Sequence, residues 1–312
     1  MKKNFILYLI FVAPFVCRGS NMGNSDYSLW QMTLGGKPAA MAGAFVASSC
    51  DLNGLLFNPA SIAGIDNREI LFTAVDDFLD FKSGYLAYTQ QWLQGRQVGV
   101  VCQYRDYGEI QETDIVGETI GTASSNDLAI STSIAQSFSE RFSVGVSFKF
   151  IQSNLVQYTS SAVGTDIGVL YRIPSEKLGV GVAINNLGFA LKKFDQDDIR
   201  MPVLYRIGVS KQLAHLPLQV NFNVNRFHHD QSNLTGGIFW MMGGEFTLSD
   251  HLFLRLGYHS NGQNQKLGST QDRAAGVSFG IGLSLKTYRF DFASSSNGVV
   301  GRINQFTIAI VL

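Results

Sequence analysis

Beyond its N-terminus the chain has no run of eighteen or more apolar residues, which excludes a membrane-spanning helix. Charge is scarce: Asp, Glu, Lys and Arg make up 15% of the 312 residues, against about 25% in ordinary soluble domains. Lys plus Arg and Asp plus Glu are equal at 24 each, so there is no basic surplus to attract nucleic acid. No Gly-x-Ser-x-Gly elbow, His-Glu-x-x-His or paired-carboxylate motif is present, so nothing points to an enzyme. Cysteine is down to three and proline to six, whereas glycine reaches 32 and aromatics 12%. Low charge with many glycines and aromatics is the profile of a membrane protein built from strands.

From about Glu69 onward one unit repeats, an apolar/polar alternation followed by a turn. Val144, Val146, Phe148 and Phe150 alternate with Ser143, Gly145, Ser147 and Lys149. Val277, Phe279, Ile281, Leu283 and Leu285 alternate with Ser278, Gly280, Gly282 and Ser284. A period of two places these sets on opposite faces of a strand. The bulky face is continuous around the protein and the other is small and polar, as when lipid lies outside and a lumen inside. Fourteen such segments can be read, joined by short and long connections in strict alternation. The expected fold is therefore all-β: a closed antiparallel transmembrane barrel of about 14 strands, with both chain ends in the periplasm. The long connections, expected outside the cell, include 107–125, 154–161, 188–202 and 261–272. Tyr85, Trp92, Tyr104, Tyr171, Tyr205, Trp240, Tyr258 and Tyr288 are candidates for interfacial girdles.

Three divisions follow. Residues 1–20 read as a cleaved signal peptide, with Lys2 and Lys3 ahead of the apolar stretch Phe5 to Val16. Residues 21–68 lack strand alternation and are too apolar for a disordered tail. They form the expected plug or hatch, with short helices: Asn58-Pro59 is a capped helix start and Gly43 lies in a small-residue run. Residues 69–312 make the barrel. Cys50 and Cys102 are expected as two buried thiols rather than a disulfide, since Cys102 shares the lipid-facing parity. His228-His229-Asp230 is a poor metal site, because adjacent strand residues point apart. Asp76, Asp77 and Asp80, like Asp195, Asp197 and Asp198, lack the spacing of a calcium loop. The lumen-facing charges Lys149, Asp166, Arg172, Arg206, Glu245, Arg255 and Asp291 are best explained as inward ion pairs. No catalytic, metal or cofactor residue is assigned. The lumen parity, mostly Gly, Ser, Ala, Asn and charge, is poor lining for a lipid.

The stretch Leu34-Gly-Gly-Lys-Pro-Ala-Ala-Met-Ala-Gly-Ala-Phe-Val-Ala, then Asp51 and Leu56-Phe-Asn-Pro-Ala60, resembles the N-terminal signature of the PorV/PorQ family. Tyr27-Ser-Leu, Tyr104-Arg-Asp-Tyr-Gly108 leading to Asp114, and Asn185-Asn-Leu-Gly188 bring it nearest the PorQ members. The resemblance implies a FadL-like outer-membrane barrel of the type IX secretion system of Bacteroidota, without enzymatic activity. It implies a surface partner, PorZ-like, within an attachment complex that also holds PorU and PorV and fixes secreted cargo at the cell surface. The external loops would carry that contact, with Tyr107, Phe189 and Phe194 as candidate apolar anchors. The alternative is a FadL-like transporter of hydrophobic small molecules.

Overall fold

The computed structural model describes residues 27–312 apart from 78–80, 94, 114, 115, 117, 195–200, 229–236 and 266–272; the expected signal peptide lies outside them. The first seven strands are β1 (Glu69–Asp76), β2 (Lys82–Leu93), β3 (Arg96–Thr113), β4 (Thr119–Ser137), β5 (Phe142–Leu155), β6 (Tyr158–Ile173) and β7 (Leu178–Lys192). The rest are β8 (Leu204–Gln212), β9 (Leu218–Phe227), β10 (Ile238–Thr247), β11 (Leu252–His259), β12 (Val277–Leu285), β13 (Tyr288–Ser296) and β14 (Arg302–Val311). Each pairs antiparallel with its sequence neighbours, and β14 closes on β1 from Glu69 opposite Val311 to Asp76 opposite Asn304. Closure leaves no free sheet edge, which hydrocarbon would punish.

The alternation sets the facing. Phe148, Phe279 and Ile281 are exposed on the outside, while Ser143, Ser147 and Lys149 are buried within. Tyr85 breaks from expectation: it is buried in the lumen, with its hydroxyl 3.4 Å from Asn53 Oδ1. It shares the parity of Ser83, Ala87 and Thr89, not that of Leu86, so it cannot join a lipid-side girdle. Cys50 and Cys102 are free thiols but neither is buried as expected, Cys102 being half-buried and Cys50 exposed. It sits at a left-handed turn (φ 54°) of the plug.

Two expected long loops are largely strand. In 107–125 the ladder resumes after a bulge at Asp106/Glu109 and continues to Thr113 opposite Thr119. The 154–161 connection shrinks to Val156 and Gln157, with Leu155 opposite Tyr158. The turn uses Val156 at φ 56°, a backbone that β-branched residues rarely adopt, so no glycine marked it in the sequence. The barrel is consequently taller on one side. β3–β7 run to between 14 and 19 residues, whereas β8–β14 have 8 to 10. β8 begins at Leu204 opposite Asn185, so residues 186–192 of β7 stand above it. On the other flank β2 begins at Lys82 opposite Asp106, and β3 rises beyond.

The lumen is occupied by residues 27–65: single 3-10 turns at Ser28–Gln31, Leu52–Leu56 and Pro59–Ile62, and one short helix α1 (Gly36–Ala40). Leu34, Leu52, Leu55 and Ile62 pack against Leu71, Val75, Tyr85 and Val101 of the wall, all buried. Phe45, Met41 and Phe57 form a second cluster with Ala183.

Candidate functional site

The plug is fastened to the wall by backbone and charge. Asn58 begins the Pro59–Ile62 turn, its Oδ1 accepting from the Ala60 N–H at 3.0 Å with Pro59 in the first position. Its Nδ2 donates to Val46 O within the plug (3.0 Å) and to Val169 O of β6 (3.1 Å). Gly43, just beyond the end of α1 and at φ 79°, donates its N–H back to Pro38 O at 2.8 Å. Asn221 Nδ2 donates to Ala44 O at 2.8 Å. Wall glycines let the plug backbone approach: a side chain on Gly145 would strike Pro59, one on Gly168 would strike Asn58, and one on Gly280 would strike Ala40.

Six charges close into a ring at the plug base. Lys37 lies 3.0 Å from Asp51 and 3.7 Å from Glu245; Glu245 lies 2.5 Å from Arg255. Arg255 lies 2.6 Å from Asp291, Asp291 3.1 Å from Arg289, and Arg289 3.7 Å from Asp51. Every member has two neighbours of opposite sign, and the three cations cancel the three anions. Glu245, Arg255 and Asp291 were readable as inward charges, and so was Arg289, which shares the parity of Asp291 on β13 though it was not among those expected; Lys37 and Asp51 were not. Parity reveals a strand's inward residues and says nothing of what the plug brings to them. Higher up, Lys149 pairs with Asp166 at 3.0 Å, donates to Asn186 Oδ1 at 2.7 Å and lies 5.2 Å from the Trp30 ring centre.

Burial alone would raise the Asp51 carboxyl, but Lys37 and Arg289 outweigh it and hold the group well below the usual carboxylate range. Lys37, which burial alone would lower, is held above its ordinary value by Asp51 and Glu245. A depressed carboxylate contributes stability that is complete above its unfolded value and is lost as pH falls toward the folded one. In urea titrations of the vesicle-embedded barrel, stability is expected to drop below about pH 4, the ordinary Asp range. Asp51→Asn should lower stability at neutral pH and shrink the acid-dependent part; an unchanged acid profile would remove Asp51 from it.

Above the plug, at the end of the barrel where the longer connections lie, is a cavity of about 450 Å³. Leu204, Phe227, Phe239, Met241 and Ile303 give it an apolar wall, and Phe227 and Phe239 stack at 5.6 Å. Arg105, Asp77, Arg206, Asn225 and His259 make the polar part, and Met32, Thr33, Ala39 and Ala42 of the plug complete it. The lumen is thus less uniformly small and polar than its composition suggested, and around this cavity the large lumen-facing residues Leu204, Phe227, Phe239 and Met241 come from β8–β10.

The three expected anchors do not form one site. Tyr107 lies in β3, its hydroxyl 2.9 Å from Ser28 Oγ and donating to Asp127 Oδ2 at 2.8 Å, so it braces the plug's start instead of facing outward as an anchor. Phe189 stands on the outer face of β7, 62% exposed, and Phe194 is half-buried in the bend that follows. His228 Nδ1 lies 3.1 Å from the Tyr205 hydroxyl; His229, Asp230, Asp80, Asp195, Asp197 and Asp198 lie outside the described residues. Asp77 is bonded to Arg105 at 3.0 Å. Among the described residues no three His, Cys, Asp or Glu side chains gather as a metal site would require.

No family model and no curated protein sequence matches the chain. Solved structures do. The Pseudomonas putida toluene transporter TodX superposes with a TM-score of 0.59 at 13% identity, over 88% of this chain and 98% of that one. The fold is FadL-like. The CymD monoaromatic hydrocarbon channel gives 0.59 at 13% identity, over 89% and 96% of the two chains. A Pseudomonas aeruginosa FadL homologue gives 0.54 at 11%, over 89% and 98%. At these identities the likeness speaks for architecture alone.

Proposed function

We propose that this FadL-like barrel is a non-enzymatic anchor of the type IX secretion system, holding a PorZ-like surface protein within an attachment complex that also contains PorU- and PorV-like members. The observation that carries this reading is the uneven rim. β7 projects above β8 with Phe189 and Leu191 exposed by 62% and 57%, and Leu155, Val156 and Tyr158 are exposed at the β5–β6 tip. A rigid sheet displaying large apolar groups above its shorter neighbour suits protein contact better than solvent. The filled lumen beneath, locked by the six-charge ring, supports a fixed platform. The PorV/PorQ-like N-terminal stretch is the other support.

A second reading, a channel for hydrophobic small molecules, is favoured by the cavity's apolar wall and by the neighbours, which are described as a toluene transporter and a monoaromatic hydrocarbon channel. The fold comparison speaks for this reading more than for the first.

One experiment separates them. Tagged chain purified from outer membranes of the native host should bring down a large surface protein, and Phe189→Glu with Leu191→Glu should cut its recovery at least ten-fold, as loss of interface hot spots of about 2 kcal/mol would. Recovery of the barrel alone, with hydrocarbon uptake lost in the deletion strain, would replace the anchor with the channel.

A further inference from the structure

Arg206 stands apart in a lumen where Lys37, Arg105, Lys149, Arg255 and Arg289 have carboxylate partners, and where Arg172, expected in an ion pair, instead donates to Cys50 Sγ at 3.2 Å. Its side chain projects from β8 into the upper cavity and it is 8% exposed. Its Nε has no hydrogen-bond partner, and no ion pair to its guanidinium is found among the described residues. Its guanidinium lies over the Phe57 ring of the plug, 5.2 Å from ring centre to Cζ. Asp166, the one carboxylate that acts on it electrostatically, is taken up by Lys149 and by the Asn186 N–H at 2.7 Å. Directly across the ladder is Asn225, whose Oδ1 is also unpartnered and whose Nδ2 meets only the Met241 sulfur at 3.5 Å.

A guanidinium withdrawn from water and left without a counter-ion is costly unless something supplies the charge. Here it faces a cavity that can hold a small molecule, beside the stacked Phe227 and Phe239. The other arginine of that cavity, Arg105, is already neutralised by Asp77. The geometry points to a binding site for a small amphipathic carboxylate, its head on Arg206 and Asn225 and its apolar body against Phe227, Phe239 and Met241. The inference needs only the cavity and the guanidinium, so it stands whether or not the barrel anchors a surface protein.

The test uses the full chain in a nonionic detergent, with 4-phenylbutyrate and its neutral counterpart 4-phenylbutanol as calorimetric probes. Detergent partitioning is the same for every variant and cancels in the comparison. The wild type is expected to bind the carboxylate at least ten-fold more tightly than the alcohol. Arg206→Gln should abolish that preference and Arg206→Lys should retain part of it, each variant first shown to be folded by its heat-modifiable gel mobility. Equal binding of the two probes by the wild type, no binding of the carboxylate above the micelle background, or a preference that survives Arg206→Gln would each overturn the assignment.

Discussion

Asp291→Ala is expected to lower the unfolding free energy of the barrel by about 3–5 kcal/mol, the range for removing one partner from a buried ion pair. Asp291 is fully buried and accepts from Arg255 Nη1 at 2.6 Å and from Arg289 Nε at 3.1 Å. Without it the ring holds three cations and two anions, and two guanidiniums face each other with nothing between. The sign of the surplus matters more than the lost bonds. Asp291→Ala combined with Arg255→Met restores the balance and should recover part of the loss, a non-additivity that a double-mutant cycle measures. Urea titration of protein folded into phospholipid vesicles supplies the numbers. A loss below about 0.5 kcal/mol for the single variant, typical of exposed sites, would mean that the ring does not hold the plug.

Gly168→Leu should be comparably damaging for a different reason. The position lies on β6 facing the plug, where any Cβ would overlap Asn58 Oδ1 and lie 2.8 Å from Pro59 Cδ. Overpacking a tight interior costs about 1–3 kcal/mol. Displacing Asn58 also strands the buried carbonyls of Val46 and Val169 and the Ala60 amide, each costing about 1–3 kcal/mol when left unmade. A loss on the order of 3–5 kcal/mol is expected in the same titration, with the plug newly open to added protease. Gly244→Ala is the control, since the nearest atom there is Leu218 Cδ1 at an ordinary 3.4 Å. Equal effects at the two glycines would show that the damage comes from losing glycine in a strand and not from the plug.

The barrel itself was legible because its signal is local and repeated. Strand number, facing and closure all follow from alternation that lipid on one side and a lumen on the other enforce residue by residue. The Asn58-Pro59 start was legible for a similar reason, since capping acts within three residues. Height was not legible. Tyr158, Thr159, Ser160 and Ser161 look like loop until they are seen to pair with Leu155, Asn154, Ser153 and Gln152, and the turn between them rests on a valine in an uncommon backbone. Tyr85 was legible as well, since counting parity from Leu86 puts it inside. The gathering of Phe227, Phe239 and Met241 around a cavity, the isolation of Arg206, and the meeting of Lys37 with Glu245 depend on how the plug seats. Those contacts span gaps of up to some two hundred residues that no local pattern encodes.

The ring also constrains the order in which the molecule is built. Two of its charges leave the ribosome early, at 37 and 51, while the last two arrive on the thirteenth strand, at 289 and 291. Before that strand is in place the other four, Lys37, Asp51, Glu245 and Arg255, pair only as an open chain, and Arg289 with Asp291 closes it. The closed ring therefore exists only once the thirteenth strand has joined the cylinder, and the electrostatic latch doubles as a record that the seam is nearly sealed.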